Sequence, residues 1–215
     1  MARTKSRFVC QECGYVASSW LGRCPECGGW NTLVEEAEVT AKASKSYLPA
    51  NNEKLRPRTI ASVAQTKVER LATGIREFDR VLGGGVVQGS LVLLGGTPGI
   101  GKSTILLDAG LRFGQQGIKV LYVSGEESEE QTAMRAVRLG GAQANDNLLI
   151  LTATDLDAIL AQANALKPQL LIIDSIQTMY NPELQTAAGS VGQVRECTAK
   201  LLQFAKSTGI AVLLI

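Results

Sequence analysis

The stretch GGTPGIGKST, residues 95–104, decides how this chain folds. It follows the apolar run SLVLL, residues 90–94, and precedes a segment whose apolar residues recur with a helical period. A strand that leads through glycines into a helix can hold phosphate groups, because N–H groups of the loop and the first helical turn point at the anion. The stretch therefore predicts a phosphate-binding loop inside an α/β domain, with a glycine-rich turn that binds nothing as the alternative.

The residue types of this loop suit a nucleoside triphosphate and its metal ion. The glycines let the backbone curl, Lys102 adds a positive charge at the β- and γ-phosphates, and the Ser103 hydroxyl can ligate Mg²⁺. Lys102 is for that reason also a catalytic candidate. The residues expected to contact ATP here are Gly95, Gly96, Thr97, Pro98, Gly99, Ile100, Gly101, Lys102, Ser103 and Thr104.

Length and composition limit the number of domains and the class of protein. The 215 residues suffice for one α/β domain and a small module, and a hydrophobic fraction of 45% permits a packed core. A net charge of only +2 gives no overall polybasic character. No apolar run approaches the ~18 residues of a membrane span, and the N-terminus lacks the apolar segment of a secretory signal. We expect a cytoplasmic protein with no membrane partner and, since the chain stops inside the apolar run 210–215, a piece of a longer protein.

Four of the five cysteines form two Cys-x2-Cys pairs. The pairs Cys10/Cys13 and Cys24/Cys27 lie ten residues apart, and a glycine that permits a tight turn follows each of them. This spacing is typical of a tetrahedral four-cysteine site, usually for zinc. Two disulfides, which a cytosolic protein disfavours, and iron in a rubredoxin-like site are the alternatives. Cys197 lies in a helical pattern and is expected to be a buried apolar residue.

Composition divides the chain into three parts. Residues 1–33 are predicted to form the four-cysteine zinc finger, a ribbon or knuckle module that depends on its ion because it is too short for a core of its own. Residues 34–59 are polar and aperiodic, which predicts a linker, and residues 60–215 form the α/β domain. Trp20 and Trp30 flank the second cysteine pair and are expected to pack on the metal site, with stacking on a base as the alternative.

Short apolar runs alternate with amphipathic segments through the third part of the chain. A parallel sheet covered on both faces needs apolar strands joined by helical crossovers, so this alternation predicts an α/β fold with a mostly parallel central sheet. The predicted strands are 91–94, 119–123, 148–151, 170–174 and 210–215, and the predicted helices are 102–116, 129–139, 156–166 and 191–206.

Two of these strands end on acidic residues. The run LLIID closes on Asp174, a Walker B pattern, and this carboxylate would lie beside the phosphate loop and hold Mg²⁺ through water. The strand VLYVS opens onto Glu126 and Glu127, either of which could polarise the water that attacks the γ-phosphate. For this pair, the solvated acidic start of a helix is the alternative.

The order of these features resembles the RadA family of bacterial DNA-repair proteins, also called Sms. The resemblance rests on the two cysteine pairs, the linker and the segments LGGGVVQGSLVLLGGTPGIGKST, VLYVSGEES, LLIIDSIQT and GSVGQVREC, and it covers essentially the whole chain. It implies a RecA-like P-loop ATPase, similar in its core to RecA, KaiC and hexameric replicative helicases, with an N-terminal zinc finger. A KNRFG motif and a Lon-protease-like domain, which the family carries further along, do not occur up to Ile215.

The resemblance also implies roles for individual residues. Lys102 and Ser103 match the Walker A lysine and serine of the family, and Asp174 matches its Walker B aspartate. Glu126 aligns best with the catalytic glutamate of RecA-like ATPases, while Glu127 matches the second carboxylate of the KaiC pair.

A function and a set of partners follow from the same resemblance. It implies a DNA-stimulated ATP hydrolase of homologous recombination and DNA repair, which drives branch migration of recombination intermediates on single-stranded DNA with ATP, Mg²⁺ and Zn²⁺ as cofactors. A RecA-type recombinase and further copies of the chain, in a hexamer of the full-length form, are the expected protein partners. The alternatives are a DnaB- or KaiC-like ATPase with another duty, a small-molecule kinase, and a nucleotide- and DNA-binding fragment without turnover.

In RecA relatives the loop after Walker B contacts DNA. Here that loop is 179–192, and Gln177 just before it could relay the nucleotide state. The loop contains no lysine or arginine before Arg195, so backbone N–H contacts to phosphates are as plausible as ion pairs. A disordered surface loop is the alternative.

Overall fold

A computed structural model describes residues 6–37, 57, 59–64, 69–141, 146–184 and 186–215. The N-terminal part is an antiparallel sheet of β1 (Ser6–Cys10), β2 (Val16–Ala17) and β3 (Leu33–Ala37), in the order β2-β1-β3. β1 pairs with β3 along its whole length. The module boundary predicted at residue 33 falls at the start of β3, so the sheet carries the module on to Ala37; most of the predicted linker lies outside the described residues.

The rest of the described chain alternates helices and strands. In chain order these are α1 (Ile60–Ala64), β4 (Arg70–Leu71), α2 (Arg76–Val81), β5 (Val86–Val87), β6 (Leu91–Leu93), α3 (Lys102–Gln115), β7 (Val120–Ser124), α4 (Glu129–Arg138), β8 (Leu148–Thr152), α5 (Leu156–Leu166), β9 (Leu170–Asp174), α6 (Val191–Thr208) and β10 (Ala211–Leu214).

Five of these strands form one sheet in the order β6-β10-β9-β7-β8, and all its neighbouring strands are parallel. The predicted fold class, α/β with a mostly parallel central sheet and an N-terminal four-cysteine module, is confirmed. The predicted strand limits differ from the observed ones by at most one residue at each end. α6 runs two residues past its predicted end and stops at Gly209, whose left-handed φ of 78° ends the helix.

The sheet separates two apolar cores because successive side chains of a strand point to opposite faces. In β9, Leu171 and Ile173 belong to the core formed with α5 and α6, whereas Leu170 and Ile172 belong to the core formed with α3. Cys197 is fully buried in the first of these cores, as predicted.

Helix starts distinguish α3 from the other long helices. Ser128, Asp155 and Ser190 each cap the following helix with a side-chain oxygen that accepts backbone N–H hydrogen bonds. α3 instead begins after Gly101 with no side-chain cap. Its first N–H groups therefore face the loop 95–101 without a side-chain acceptor. None of the helices in the described ranges is both long and apolar enough to span a bilayer.

Candidate nucleotide and metal sites

The loop between β6 and α3 is an open cradle at the carboxyl edge of the parallel sheet. Gly99 and Gly101 have left-handed φ values of +76° and +101°, which residues with a side chain rarely adopt. A Cβ built on either glycine would meet nothing within 4 Å, so their bare backbone borders open space. Together with the uncapped N–H groups of α3, this geometry fits an anion such as a triphosphate.

Lys102 lies folded over this same loop. Its Nζ donates hydrogen bonds to the carbonyl oxygens of Gly96, at 2.8 Å, and Thr97, at 3.0 Å. Among the described residues it forms no ion pair with a carboxylate. Because its partners are neutral, the positive charge of Lys102 remains uncompensated at the loop.

Asp174, at the end of β9, meets the start of α3. Ser103 Oγ donates a hydrogen bond of 3.0 Å to Asp174 Oδ1, across 71 positions of sequence. The parallel order of the sheet brings them together, because β6 and β9 flank β10 and all three strands end at the same edge. A hydroxyl and a carboxylate are oxygen ligands of the kind that Mg²⁺ prefers, so this pair fits the ion that a triphosphate carries.

Two residues that the sequence did not single out surround Asp174. Tyr122, on the neighbouring strand β7, donates a hydrogen bond of 2.5 Å to Asp174 Oδ2. Arg135, on α4, donates to the Tyr122 hydroxyl at 3.1 Å and approaches Asp174 Oδ2 at 3.5 Å. Burial and the nearby charge of Asp174 raise the pKa of Tyr122, so its hydroxyl keeps the proton that it donates.

The adjacent glutamates Glu126 and Glu127 have different surroundings. Glu127 accepts a hydrogen bond of 3.0 Å from Arg135 Nη1 and forms an ion pair with it. Glu126 is exposed, and in the part of the chain that the structure describes its carboxylate accepts a single hydrogen bond, of 3.2 Å, from the hydroxyl of Ser175, the residue after Asp174. Both therefore lie at the sheet edge that carries Asp174, but Glu127 is held by a cation, whereas Glu126 has no described cationic partner.

Gly125 allows the ends of β7 and β9 to approach each other closely. Its N–H donates to the carbonyl oxygen of Asp174 at 2.8 Å. A Cβ at this position would lie 2.0 Å from Thr178 Oγ1 and 2.9 Å from Met179 Cε, distances that real contacts do not reach. A residue with a Cβ therefore fits between β7 and the turn that follows β9 only if Thr178 and Met179 move.

The loop after β9 is held to α6 by a buried side chain. Gln193, which is fully buried, accepts from the N–H of Asn181 at 2.8 Å and donates to the carbonyl oxygens of Asn181, at 3.3 Å, and Thr186, at 2.9 Å. Lys200 donates to Asn181 Oδ1 at 3.0 Å and pairs with Asp157 and Glu183. The described part of this loop is thus fastened at several points. This part of the chain is therefore an ordered loop, not the disordered surface loop of the alternative.

The four paired cysteines converge at the N-terminal sheet. Their sulfur atoms all lie within 4.8 Å of one another, with 3.7 Å between Cys10 and Cys27 and 3.5 Å between Cys13 and Cys24. Four sulfurs at about 2.3 Å from a tetrahedral ion are separated by about 3.8 Å, whereas a disulfide would bring two of them to about 2.05 Å. All four are free thiols, which matches the predicted metal site rather than two disulfides.

Local geometry supports this four-cysteine site. Gly14 and Gly28, after the two pairs, have φ values of +77° and +75°, and each donates its N–H to the carbonyl oxygen of the first cysteine of its pair at 2.9 Å. A hydrogen bond with the Thr32 hydroxyl lowers the pKa of the Cys10 thiol to about 6, although burial opposes it. In contrast, burial and the neighbouring thiols raise the pKa values of Cys13 and Cys27, because the four sulfur atoms lie so close together.

The two tryptophans do not pack on the metal site, contrary to expectation. Trp20 is 55% exposed and Trp30 is 71% exposed. The guanidinium of Arg23 lies 5.7 Å from the ring centroid of Trp30, a cation–π contact at the surface. The small hydrophobic cluster beside the thiols consists instead of Phe8, Tyr15, Ala17 and Leu33.

Two family models match the chain. Residues 52–215 match the model described as an AAA domain, and residues 8–35 match a zinc-ribbon model described as a rubredoxin metal binding domain. The second match includes all four clustered cysteines, so the N-terminal module is a zinc ribbon.

Curated relatives agree with these matches. Proteins named DNA repair protein RadA are 48% identical in Halalkalibacterium halodurans, 46% in Bacillus subtilis and 48% in Streptococcus pyogenes serotype M6, in each case over 100% of this chain and 47% of the relative. The chain thus spans about half the length of the curated relatives it matches. It belongs to the AAA domain family and is a relative of the proteins named DNA repair protein RadA.

Proposed function

We propose that this chain binds ATP with Mg²⁺ and hydrolyses it, as the motor part of a DNA-stimulated ATPase of DNA repair and homologous recombination. The observation that carries the proposal is the meeting of Ser103 and Asp174, with Oγ and Oδ1 3.0 Å apart, beside Lys102 and the open glycine loop. The AAA domain match and the name of the relatives support the same assignment.

In this proposal each part of the cradle binds a different part of the ligand. The N–H groups of the loop and of the start of α3 would bind the phosphate oxygens, and Lys102 would exchange its two carbonyl acceptors for the β- and γ-phosphates. Ser103 and Asp174 would hold Mg²⁺, Asp174 through water because both of its oxygens already accept hydrogen bonds. The ion would supply charge neutralisation between the β- and γ-phosphates.

We assign proton transfer to Glu126. The oxygen of a water molecule would form a bond to the γ-phosphorus, the bond from this phosphorus to the bridging oxygen would break, and its electron pair would remain on ADP. The proton of the attacking water would pass to the Glu126 carboxylate. Glu126 suits this role because it is exposed at the sheet edge and no cation among the described residues pairs with it. Glu127 suits it less because Arg135 pairs with it.

The DNA part of the proposal concerns single-stranded DNA and recombination intermediates. The loop that Gln193 fastens follows directly from the Walker B strand, and the carbonyl oxygen of Gln177 lies 3.3 Å from where a Cβ of Gly189 would be. A change in the position of Asp174 would therefore be passed to this loop through only a few intervening residues. We further propose branch migration, a hexamer of the longer protein, a RecA-type recombinase as partner and a cytoplasmic location, as the resemblance of the sequence to the RadA family implies.

Two cations near this loop allow a test of the DNA contact. Lys200 is already paired with Asp157 and Glu183, whereas Arg195 is exposed on α6. If the loop tracks phosphates, Arg195→Ala should reduce the salt dependence of single-stranded DNA binding by about 0.7 in the slope of log K against log salt concentration. Lys200→Ala should leave this slope unchanged. Equal slopes for Arg195→Ala and the unmodified chain would contradict a phosphate contact at Arg195.

ATP hydrolysis, measured with and without single-stranded DNA, tests the proposed function directly. Lys102→Ala should lose turnover and weaken ATP binding by about 1.5–3 kcal/mol, the contribution of a charge-assisted hydrogen bond. Lys119→Ala, an exposed lysine before β7 at the opposite edge of the sheet, is the matched control. Glu126→Gln should keep ATP binding and lose about 10²-fold or more in turnover.

The same measurements separate the alternatives. Wild-type hydrolysis in Lys102→Ala would refute the assignment of the site. ATP binding without turnover in the unmodified chain would favour a nucleotide- and DNA-binding fragment instead. Turnover that single-stranded DNA leaves unchanged would favour an ATPase with another duty.

A further inference from the structure

One cation lies inside the acidic side of the nucleotide site. Arg135 has only 18% of its side chain exposed, and its two Nη atoms point to different acidic residues. Nη1 donates to Glu127 Oε1 at 3.0 Å, and Nη2 lies 3.5 Å from Asp174 Oδ2. The guanidinium thus bridges the end of β9 and the segment that follows β7.

A second connection runs through Tyr122. Arg135 Nη2 donates to the Tyr122 hydroxyl at 3.1 Å, and this hydroxyl in turn donates to Asp174 Oδ2. Asp174 Oδ1 accepts from Ser103, so Arg135, Tyr122 and Ser103 together define the orientation of the carboxylate. Of these three groups, only Arg135 carries a charge and also holds Glu127.

Within the described ranges, the pattern of pairing leaves Glu126 without a cation, unlike Asp174 and Glu127. Asp174 and Glu127 share Arg135, whereas the only side-chain hydrogen bond of Glu126 in the described chain is the one from Ser175. The Glu127 oxygen that accepts from Arg135 is taken up by that hydrogen bond, whereas the exposed Glu126 is open to a water molecule. Arg135 therefore makes the two neighbouring glutamates unequal.

We propose that Arg135 is a positioning residue of the nucleotide site, which holds Glu127 and Asp174 in place and leaves Glu126 as the carboxylate that accepts the proton of water. This inference rests on the proposed ATP hydrolysis. Arg135 acts through the carboxylates that it holds and does not itself contact the nucleotide. It also sets the local charge, since it offsets part of the negative potential that attracts Mg²⁺.

The test uses the full chain and the variants Arg135→Ala and Arg135→Lys. Arg138→Ala, an exposed arginine three residues further along the same helix, is the matched control. Two quantities are measured: steady-state ATP turnover, with kcat and KM separated, and the Mg²⁺ concentration that half-saturates binding of a fluorescent, non-hydrolysable ATP analogue. Thermal melting reports whether each variant folds.

We expect Arg135→Ala to lower kcat at least about tenfold with little change in KM, because Asp174 loses one of the groups that orient it. The half-saturating Mg²⁺ concentration should fall about fivefold, the effect of removing one unit charge about 8 Å from a doubly charged ion in a water-like dielectric. Arg135→Lys keeps the charge but cannot bridge both carboxylates, so it should restore the Mg²⁺ requirement and only part of kcat. Arg138→Ala should match the unmodified chain.

Several outcomes would overturn the role of Arg135. Unchanged kcat in Arg135→Ala would do so, and so would reduced kcat with an unchanged Mg²⁺ requirement, which would indicate a merely structural arginine. If Arg135→Ala fails to fold, the variant Glu127→Gln tests the proposal instead. Its turnover should fall by less than about tenfold, whereas the loss of a general base lowers turnover by about 10²–10⁴-fold. A loss as large as that of Glu126→Gln would refute the assignment.

If the unmodified chain hydrolyses no ATP, the proposed function fails, while the Mg²⁺ titration still tests Arg135.

Discussion

Replacing Gly125 by alanine should push apart the two strand ends that carry the acidic residues of the site. The added Cβ would lie 2.0 Å from Thr178 Oγ1 and 2.8 Å from Thr178 Cβ, whereas real Cβ contacts stay above 3.0 Å. The turn after β9 must therefore move by about 1 Å, and overpacking of this kind costs about 1–3 kcal/mol of folding free energy. In a domain of about 150 residues, this corresponds to a melting temperature lower by about 2–12 °C.

The displacement should affect turnover more than stability. Glu126 follows Gly125 directly, and its partner Ser175 follows Asp174, so a shift of about 1 Å changes the spacing of the two carboxylates. Misplacement by that distance can cost about 10²-fold in rate. Circular dichroism melting and steady-state ATP hydrolysis measure the two effects on the same preparation.

Two control variants separate crowding from a general effect of alanine. Gly110, in α3, is buried and, like Gly125, has no left-handed φ, but a Cβ there would meet Ile172 and Leu148 at 3.4 Å, an ordinary contact. Gly110→Ala should therefore keep both stability and turnover. Adding Thr178→Ala to Gly125→Ala should recover part of the loss, because it removes the closest atom. Unchanged melting and turnover in Gly125→Ala would refute the view that this close approach positions Glu126.

Three further predictions concern the cysteines and the zinc ribbon. Elemental analysis should find about one zinc per chain, and Cys24→Ser should release it and unfold the ribbon while the α/β domain keeps its melting transition; one iron per chain would contradict this. Burial raises the pKa of Cys197 to about 11, so this thiol stays protonated at pH 8 and should resist alkylation after chelation, until the chain unfolds; modification of Cys197 in the folded chain would contradict its burial. Trp30→Ala should retain the metal, since Trp30 is 71% exposed, and a zinc content below that of the unmodified chain would show that it supports the site after all.

The sequence predicted those features whose signal is local. The phosphate loop, the two cysteine pairs and the acidic strand end each lie in one short segment, and the apolar runs of the strands gave the parallel sheet. The sequence does not predict β3, because two apolar residues, Leu33 and Val34, are followed by the acidic Glu35 and Glu36 without the alternation of a half-buried strand, and pairing with β1 is what makes this segment a strand. The prediction that the tryptophans pack on the metal site is wrong, because a residue close to a ligand in sequence can still point its side chain away from that ligand.

Tyr122 and Arg135 could not be identified from sequence patterns. Tyr122 lies in a run of buried strand residues, where an aromatic side chain suggests core packing, and only the neighbour β9 shows that its hydroxyl meets Asp174. Arg135 lies on α4 near the buried residues Thr132 and Ala136, a spacing that places it on the inner face of the helix. That position was the available signal, because a charged residue on the buried face of a helix needs a partner.

The two cations of the site are held in different ways, and this separates binding from catalysis. Lys102 contacts only neutral carbonyl oxygens, so a phosphate can replace these partners without leaving any carboxylate unpaired. The charge of Arg135 is compensated by Glu127 and Asp174. If Arg135 turned to a phosphate instead, these two partly buried carboxylates would lose their cation. In the proposed reaction, affinity for a triphosphate should therefore depend on Lys102, whereas the arrangement of carboxylates around the attacking water should depend on Arg135. A site that used both cations on the phosphates would gain affinity, but Glu126 and Glu127 would then become equivalent.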